Sequence, residues 1–177
     1  TSDSIMLSQV LADRQGCYLH SSGVILNDQG YLFIGASGAG KSTLTRILKH
    51  YGKVLTDDRN IVRKWPEGYR IHGTWSHGEV PLAFNRTAPL KSIFILRQAT
   101  ENQASRNRDE KAILHELLNR TIRPLCTEQW WEKTLDLLTD ITRNIPVYTL
   151  SFTKDDRVIP AIEEITGKLV KLDTDLN

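Results

Sequence analysis

The chain has 177 residues, 40% hydrophobic and 25% charged, with a formal net charge of +2. That size suits a single domain over residues 1–177 that buries its core without disulfide or metal staples. The small charge gives no reason to expect a nucleic-acid or membrane partner, and no apolar run approaches the roughly 20 residues of a bilayer span. The N-terminus lacks the basic flank and apolar stretch of a secretion signal, so the sequence reads as cytoplasmic. Cys17 and Cys126 lie far apart, outside any metal-ligand spacing, and read as two free core thiols.

In chain order, residues 17–26 are rich in small and β-branched residues, and Asn27-Asp28-Gln29-Gly30 is a turn signal before the apolar run Tyr31-Leu32-Phe33-Ile34. This predicts a hairpin leading into a glycine loop. From Lys41 to Tyr51 the positions Leu44, Ile47 and Leu48 recur at helical spacing, with Gly52 as the stop. Val54-Leu55-Thr56 is a short buried strand ending at Asp57-Asp58. A second hairpin follows, residues 61–65 and 69–72 flanking Pro66-Glu67-Gly68.

Residues 89–97 contain Ile93-Phe94-Ile95-Leu96, a central-strand signal, and 98–108 read as a mobile polar loop. Two amphipathic helices come next: residues 109–120 with Ile113, Leu114, Leu117 and Leu118 on one face, then a helix capped by Thr127 carrying Trp130, Trp131, Leu135, Leu138 and Ile141. Both stripes read as core-packing faces. Residues 147–152 form a last strand, and Asp155 or Asp156 opens a closing helix to about Thr166, with Pro160 tolerated only near its first turn.

The residues Gly35-Ala36-Ser37-Gly38-Ala39-Gly40-Lys41-Ser42 fit G-x-x-x-x-G-K-[ST], placed after an apolar strand and at the start of a helix. The glycines let successive amides, from about Gly38 to Ser42, face a phosphate, and the helix dipole adds partial positive charge. Lys41 is expected to reach the β- and γ-phosphates of ATP, and the Ser42 hydroxyl to ligate Mg²⁺. One helix and one strand later, Asp57 and Asp58 can divide the remaining work: one holds Mg²⁺, directly or through water, and the other accepts a hydroxyl proton.

These residues resemble the catalytic domain of the HPr kinase/phosphorylase family, akin in fold to phosphoenolpyruvate carboxykinase. The resemblance rests on His20 in Leu19-His20-Ser21-Ser22-Gly23-Val24, on the loop Gly35 to Ser42 and on Leu55-Thr56-Asp57-Asp58. It implies an α/β P-loop fold with a mixed sheet, hairpins and flanking helices. It also implies that Asp57 transfers the proton, Asp58 assists with Mg²⁺, and His20 lies near the phosphates and the acid-base aspartate. The cofactor-binding set is then Gly35, Ser37, Gly38, Ala39, Gly40, Lys41, Ser42 and Thr43. Thr43 stands where the HPr enzymes usually carry Glu. The segment Thr74-Trp75-Ser76-His77-Gly78-Glu79 is similar to one in short kinase-like relatives, which implies phosphate or acceptor contacts for His77 and Glu79. A homo-oligomer is also implied.

The function expected is phosphorylation of a serine-type hydroxyl on a peptide or protein acceptor. The alternatives are a small-molecule P-loop kinase, which a parallel partner for residues 31–34 would favour, and a non-catalytic nucleotide-binding regulatory module, which would need neither Asp57 nor His20. An ABC-type ATPase is disfavoured by the lack of an L-S-G-G-Q-like signature. Arg97, Arg106 and Arg108 are the arginines considered for neutralising the transferring phosphoryl group.

Overall fold

The computed structural model describes residues 2–124 and 127–172. The expectation for Cys126 lies outside the described residues; Cys17 is free and buried, and burial pushes its thiol up to about 12. The elements run α1 (Ser2–Asp13), β1 (Gly16–His20), β2 (Ser22–Leu26), β3 (Gln29–Ile34), α2 (Lys41–Leu48), β4 (Lys53–Thr56), β5 (Arg59–Trp65), β6 (Gly68–His72), β7 (Thr87–Gln98), β8 (Gln103–Asn107), α3 (Glu110–Arg120), α4 (Glu128–Asn144), β9 (Val147–Phe152) and α5 (Ile159–Thr166). The nine strands among the described residues join one mixed sheet in the order β1-β5-β6-β7-β3-β2-β4, with β9 beside β7 and β8 beside β9.

β7 is the spine. Its first residues pair antiparallel with β6, Ile71 opposite Ala88, while its later residues run parallel to β3 on one side and to β9 on the other. The central strands are buried on both faces, which is why Tyr31 to Ile34 and Ile93 to Leu96 are unbroken apolar runs. Leu32, Ile34, Ile93 and Ile95 point to a core shared with α3 and α4. Tyr31, Phe33, Phe94 and Leu96 point to a second core shared with α2 and α5, where the Phe33 and Phe94 rings stack at 5.1 Å.

The predicted hairpin into the glycine loop is β2–β3, closed by Asn27 and Asp28 at φ 49° and 59°. Two successive positive φ angles make the tight turn whose twist suits paired strands. Residues 16–20 do not belong to that hairpin. The chain breaks at Ser21, and β1 pairs with β5 instead, His20 opposite Arg59. β3 therefore has an antiparallel neighbour in β2 and a parallel one in β7, so strand direction alone does not separate the two kinase readings.

Three further differences have physical causes. The apolar residues of α1 are spread round the helix, and Ile5, Met6 and Val10 are exposed; it is held by Leu11, by Trp130 Nε1–H donating to Ser8 O at 3.2 Å and by the Lys133–Asp13 ion pair. The polar stretch read as a mobile loop contains β8, which is ordered by antiparallel pairing with β9 and not by apolar burial. The closing helix begins one turn late: Asp155 caps a short 3-10 turn over Asp156–Val158, and α5 starts at Ile159 with Pro160 in its first turn.

Candidate active site

β3 delivers Ile34 to the loop, and α2 begins at Lys41 on the far side of it. Gly40 sits at φ 107°, and a Cβ there would meet the Phe152 ring at 2.6 Å, so both backbone and space demand glycine. Gly38 has φ 76° with open space around it, so only its backbone conformation is demanding. The Gly38 carbonyl accepts from Gln98 Nε2 at 2.5 Å and from Lys154 Nζ at 2.8 Å. Ala39 N–H donates back to Ala36 O at 3.0 Å, whereas the first intrahelical bond is Leu44 N–H to Gly40 O at 2.8 Å. The amides of Lys41, Ser42 and Thr43 thus lie in the helix's first turn, ahead of its own ladder, where an anion is favoured.

Beside this loop the chain brings in the two aspartates. β4 ends at Thr56, and Asp57 and Asp58 follow. Asp57 is 3% exposed, its Oδ1 accepting from Gly78 N–H at 2.6 Å and its Oδ2 from Val80 N–H at 2.9 Å. Asp58 Oδ1 lies 3.2 Å from His20 Nδ1; its Oδ2 accepts from Ser76 Oγ at 2.6 Å and faces Arg59 Nε at 3.3 Å. Thr56 Oγ1 donates to Ser76 O. The segment 76–80 is therefore fastened onto both aspartates.

One buried side chain locks this geometry from behind. Asn60 Nδ2 donates to Ser21 O at 2.9 Å and to Ser21 Oγ at 3.1 Å, with a long bond to Thr56 O at 3.4 Å. Ser21 N–H donates to Asp58 O at 2.9 Å. The strand carrying His20 and the strand delivering Asp57 are thereby tied through β5.

The result is a hollow of about 350 Å³ lined by His20, the loop residues Ser37, Gly38 and Gly40 to Thr43, both aspartates, Gly78, Glu79 and Lys154. That volume suits a small-ligand site. Of the residues singled out in the sequence, Gly35, Ala39 and His77 do not line it. Gly35 O accepts from Lys41 Nζ at 3.1 Å, Ala39 packs in the α2-side core, and His77 is exposed with Nδ1 near Gly78 O. Glu79 reaches the hollow while its exposed carboxylate pairs with Arg46 at 3.0 Å.

Burial, then the charge of Arg120, holds the Lys41 ammonium below its ordinary 10.5, against the pull of Asp58 and Asp57. Burial and then Lys41 hold His20 below 6.5, with Asp58 opposing and Arg120 adding to the depression. His20 is thus a neutral imidazole near pH 7.

Arg120 and Lys154 are the residues sequence reasoning missed. Of the arginines considered, Arg97 donates to Glu116 at 2.5 Å, and Arg106 on β8 lies 5.3 Å from the Tyr148 ring centre. Arg120 instead ends α3 where that helix meets β1: Thr121 bridges Leu19, and Ile122 N–H donates to Tyr18 O at 2.7 Å. Its Nε is buried without a partner among the described residues, 3.6 Å separating its Nη2 from Glu116. No local motif marks either cation. Lys154 reaches the loop because β9 lies in the parallel half of the sheet, and the charge of Arg120 is felt by Lys41 and His20 because α3 docks on β1.

Residues 3–166 match the model of the family described as SynChlorMet cassette protein ScmC. Among solved structures, the Hpr(Ser) kinase/phosphatase from Coxiella burnetii is similar at 8% identity and a TM-score of 0.46, over 84% of this chain and 92% of that chain. No curated protein matches the sequence. No helix among the described residues is long and apolar enough to cross a membrane.

Proposed function

The chain belongs to the ScmC family, and from the site it carries we propose that it transfers a phosphoryl group from ATP to a serine-type hydroxyl on a peptide or protein. The observation that carries this reading is the convergence, in one hollow, of a phosphate loop, an aspartate pair and a histidine contributed by β1, β3, α2 and β4. A site that only bound nucleotide would need the loop alone.

The loop amides at the start of α2 and Lys41 hold the phosphates, Lys154 adds positive charge in the hollow, and Arg120 adds to the field around Lys41. Asp57 takes the acceptor's hydroxyl proton as the oxygen bonds to the γ-phosphorus and the bond to the β-phosphate oxygen breaks, leaving ADP. Ser42 and Asp58 offer oxygen donors in the same hollow, the donor type that Mg²⁺ takes. Asp58 already faces His20, Ser76 and Arg59, which suits a water-bridged hold on the ion. When bound, Mg²⁺ would neutralise charge on the β- and γ-phosphate oxygens. Beyond Thr43 and Lys154 a second hollow, lined by Ile47, His50 and Arg157, leaves room for the ribose and base.

A second reading, a nucleotide-binding regulatory module, is favoured by one observation: both oxygens of Asp57 already accept backbone amides. Calorimetric titration of Mg-ATP and a transfer assay against hydroxyl acceptors separate the two. Lys41→Ala should weaken nucleotide binding. Asp57→Asn should retain binding and lower transfer by about 10²–10⁴-fold. Full transfer by Asp57→Asn would remove Asp57 from its role, and binding without transfer to any acceptor would favour the regulatory module.

A further inference from the structure

The antiparallel half of the sheet has a face that the phosphate hollow does not use. Residues directly opposite in paired strands share a face. Ile61, Arg63 and Trp65 of β5 therefore lie on the same side as His72 and Arg70 of β6. The same side holds His20, opposite Arg59, so the face starts at the active site and runs away from it. Over it lies a cavity of about 640 Å³ lined by Leu11, Ile61, Arg63, Trp65, His72 and Trp75, among others.

Its chemistry is aromatic and cationic. The Arg63 guanidinium sits 4.0 Å from the Trp65 ring centre, and Trp75 is 66% exposed, unusual for so large an apolar side chain. Arg63 donates to Arg14 O and Arg70 to Thr87 Oγ1, and neither forms an ion pair with a carboxylate among the described residues. Burial, then Arg70 and Arg63, keep His72 below 6.5, in keeping with a positive field over the cavity.

The cavity is also continuous with the chemistry. Gly73, Thr74 and Trp75 form one wall, and the next residues are those that bind Asp58 through Ser76 and Asp57 through Gly78 and Val80. A chain advances at most about 3.3–3.6 Å per residue, so a peptide seated beside Trp75 needs only a few residues to present a hydroxyl at Asp57.

We propose that this cavity docks an acidic, apolar-containing stretch of the peptide or protein acceptor, next in sequence to the hydroxyl residue that is phosphorylated. The proposal rests on the phosphotransferase reading above and names the acceptor class. Arg63 in the cavity wall and Arg70 opposite it on the same face, both lacking carboxylate partners among the described residues, complement acidic side chains, and the aromatic walls take an apolar one. An aromatic-lined cavity in a chain of net charge +2 suits a peptide better than a polyanionic nucleic-acid strand.

The test is binding of fluorescein-labelled serine peptides to the full chain, read by anisotropy and needing no turnover. One peptide flanks the serine with Glu and Leu, the other with Lys and Leu. The acidic peptide should bind at least about tenfold more tightly. Arg63→Glu with Arg70→Glu should abolish or invert that preference while Mg-ATP affinity is unchanged. Should the double reversal unfold the chain, as circular dichroism would show, Arg63→Gln with Arg70→Gln should still reduce the preference. Equal binding of the two peptides, or an unchanged preference in a folded variant, would overturn the proposal. So would equal competition by a single-stranded oligonucleotide. Sedimentation showing a dimer that Trp75→Ala dissolves would assign the face to a second copy instead. Tight binding of the acidic peptide without phosphorylation by Mg-ATP would sink the phosphotransferase reading and leave the docking site standing.

Discussion

The parallel half of the sheet, β3 with β7 and β9, is covered on both faces, and its strands end together at the glycine loop. The antiparallel half, β1 with β5 and β6, packs one face on α3 and α4 and leaves much of the other beside an open cavity. In the first half the central side chains are committed to packing, as with Phe94, which is fully buried and stacks on Phe33 at 5.1 Å. In the second, alternate residues are free to carry charge and aromatic surface. One half fixes the shape of the glycine loop; the other is able to vary the surface beside it.

That contrast can be broken most forcefully by truncating Phe94. Phe94→Ala should cost about 3–5 kcal/mol in chemical denaturation, because the cavity it leaves lies between two covered faces. Asn60→Ala, at the seam of the two halves, should cost about 1–3 kcal/mol and also loosen the site, since Ser21 and Thr56 lose a shared donor. The check is a drop in both Tm and transfer rate. A normal rate with a lowered Tm would mean that the seam stabilises without positioning.

Arg120→Ala should act on charge more than on stability. His20 lies below 6.5, and Arg120 is one of the causes, so the variant's imidazole should titrate at higher pH by NMR. The same depressed values set a stability trend. His20 and His72 both lie below 6.5 when folded, so the unfolded chain binds more protons as the pH falls through 6.5 towards the folded values. Their contribution is therefore complete above pH 6.5 and lost below it, and Tm should fall on acidification through that window. The smallest effect belongs to the open face: Trp75→Ala should change stability by no more than about 0.5 kcal/mol. A loss comparable to that of Phe94→Ala would mean that the face is part of the core.

What the sequence disclosed follows the same division. The loop, α2 and the apolar runs of β3 and β7 were legible because each rests on neighbours in the chain: glycine spacing, helical periodicity, double-sided burial. The pairing of β1 with β5 was not, because Cys17 to Leu26 reads as one strand until Ser21 is seen to turn and donate to Asp58. β8 was missed because Gln103 to Asn107 is polar and its order comes from backbone bonds to β9. Within the site, His20, Lys41, Ser42, Asp57 and Asp58 were found by motif and resemblance and do meet around one hollow. Arg120 and Lys154 lie 79 and 113 positions beyond Lys41 in the chain, and only tertiary packing, of α3 on β1 and of β9 beside β7, brings the first near the hollow and the second into it.

The two donors on the Gly38 carbonyl carry a consequence for how the molecule is made. Gln98 comes from the end of β7 and Lys154 from just after β9, so the loop read from residues 35–42 is held in shape by groups synthesised long after it. A growing chain that ends before Lys154 has the full glycine motif and lacks one of the groups that orient it. If the loop takes ATP as proposed, affinity measured on chains of increasing length should rise late, when β9 has docked, and the nucleotide would report the last step of assembly.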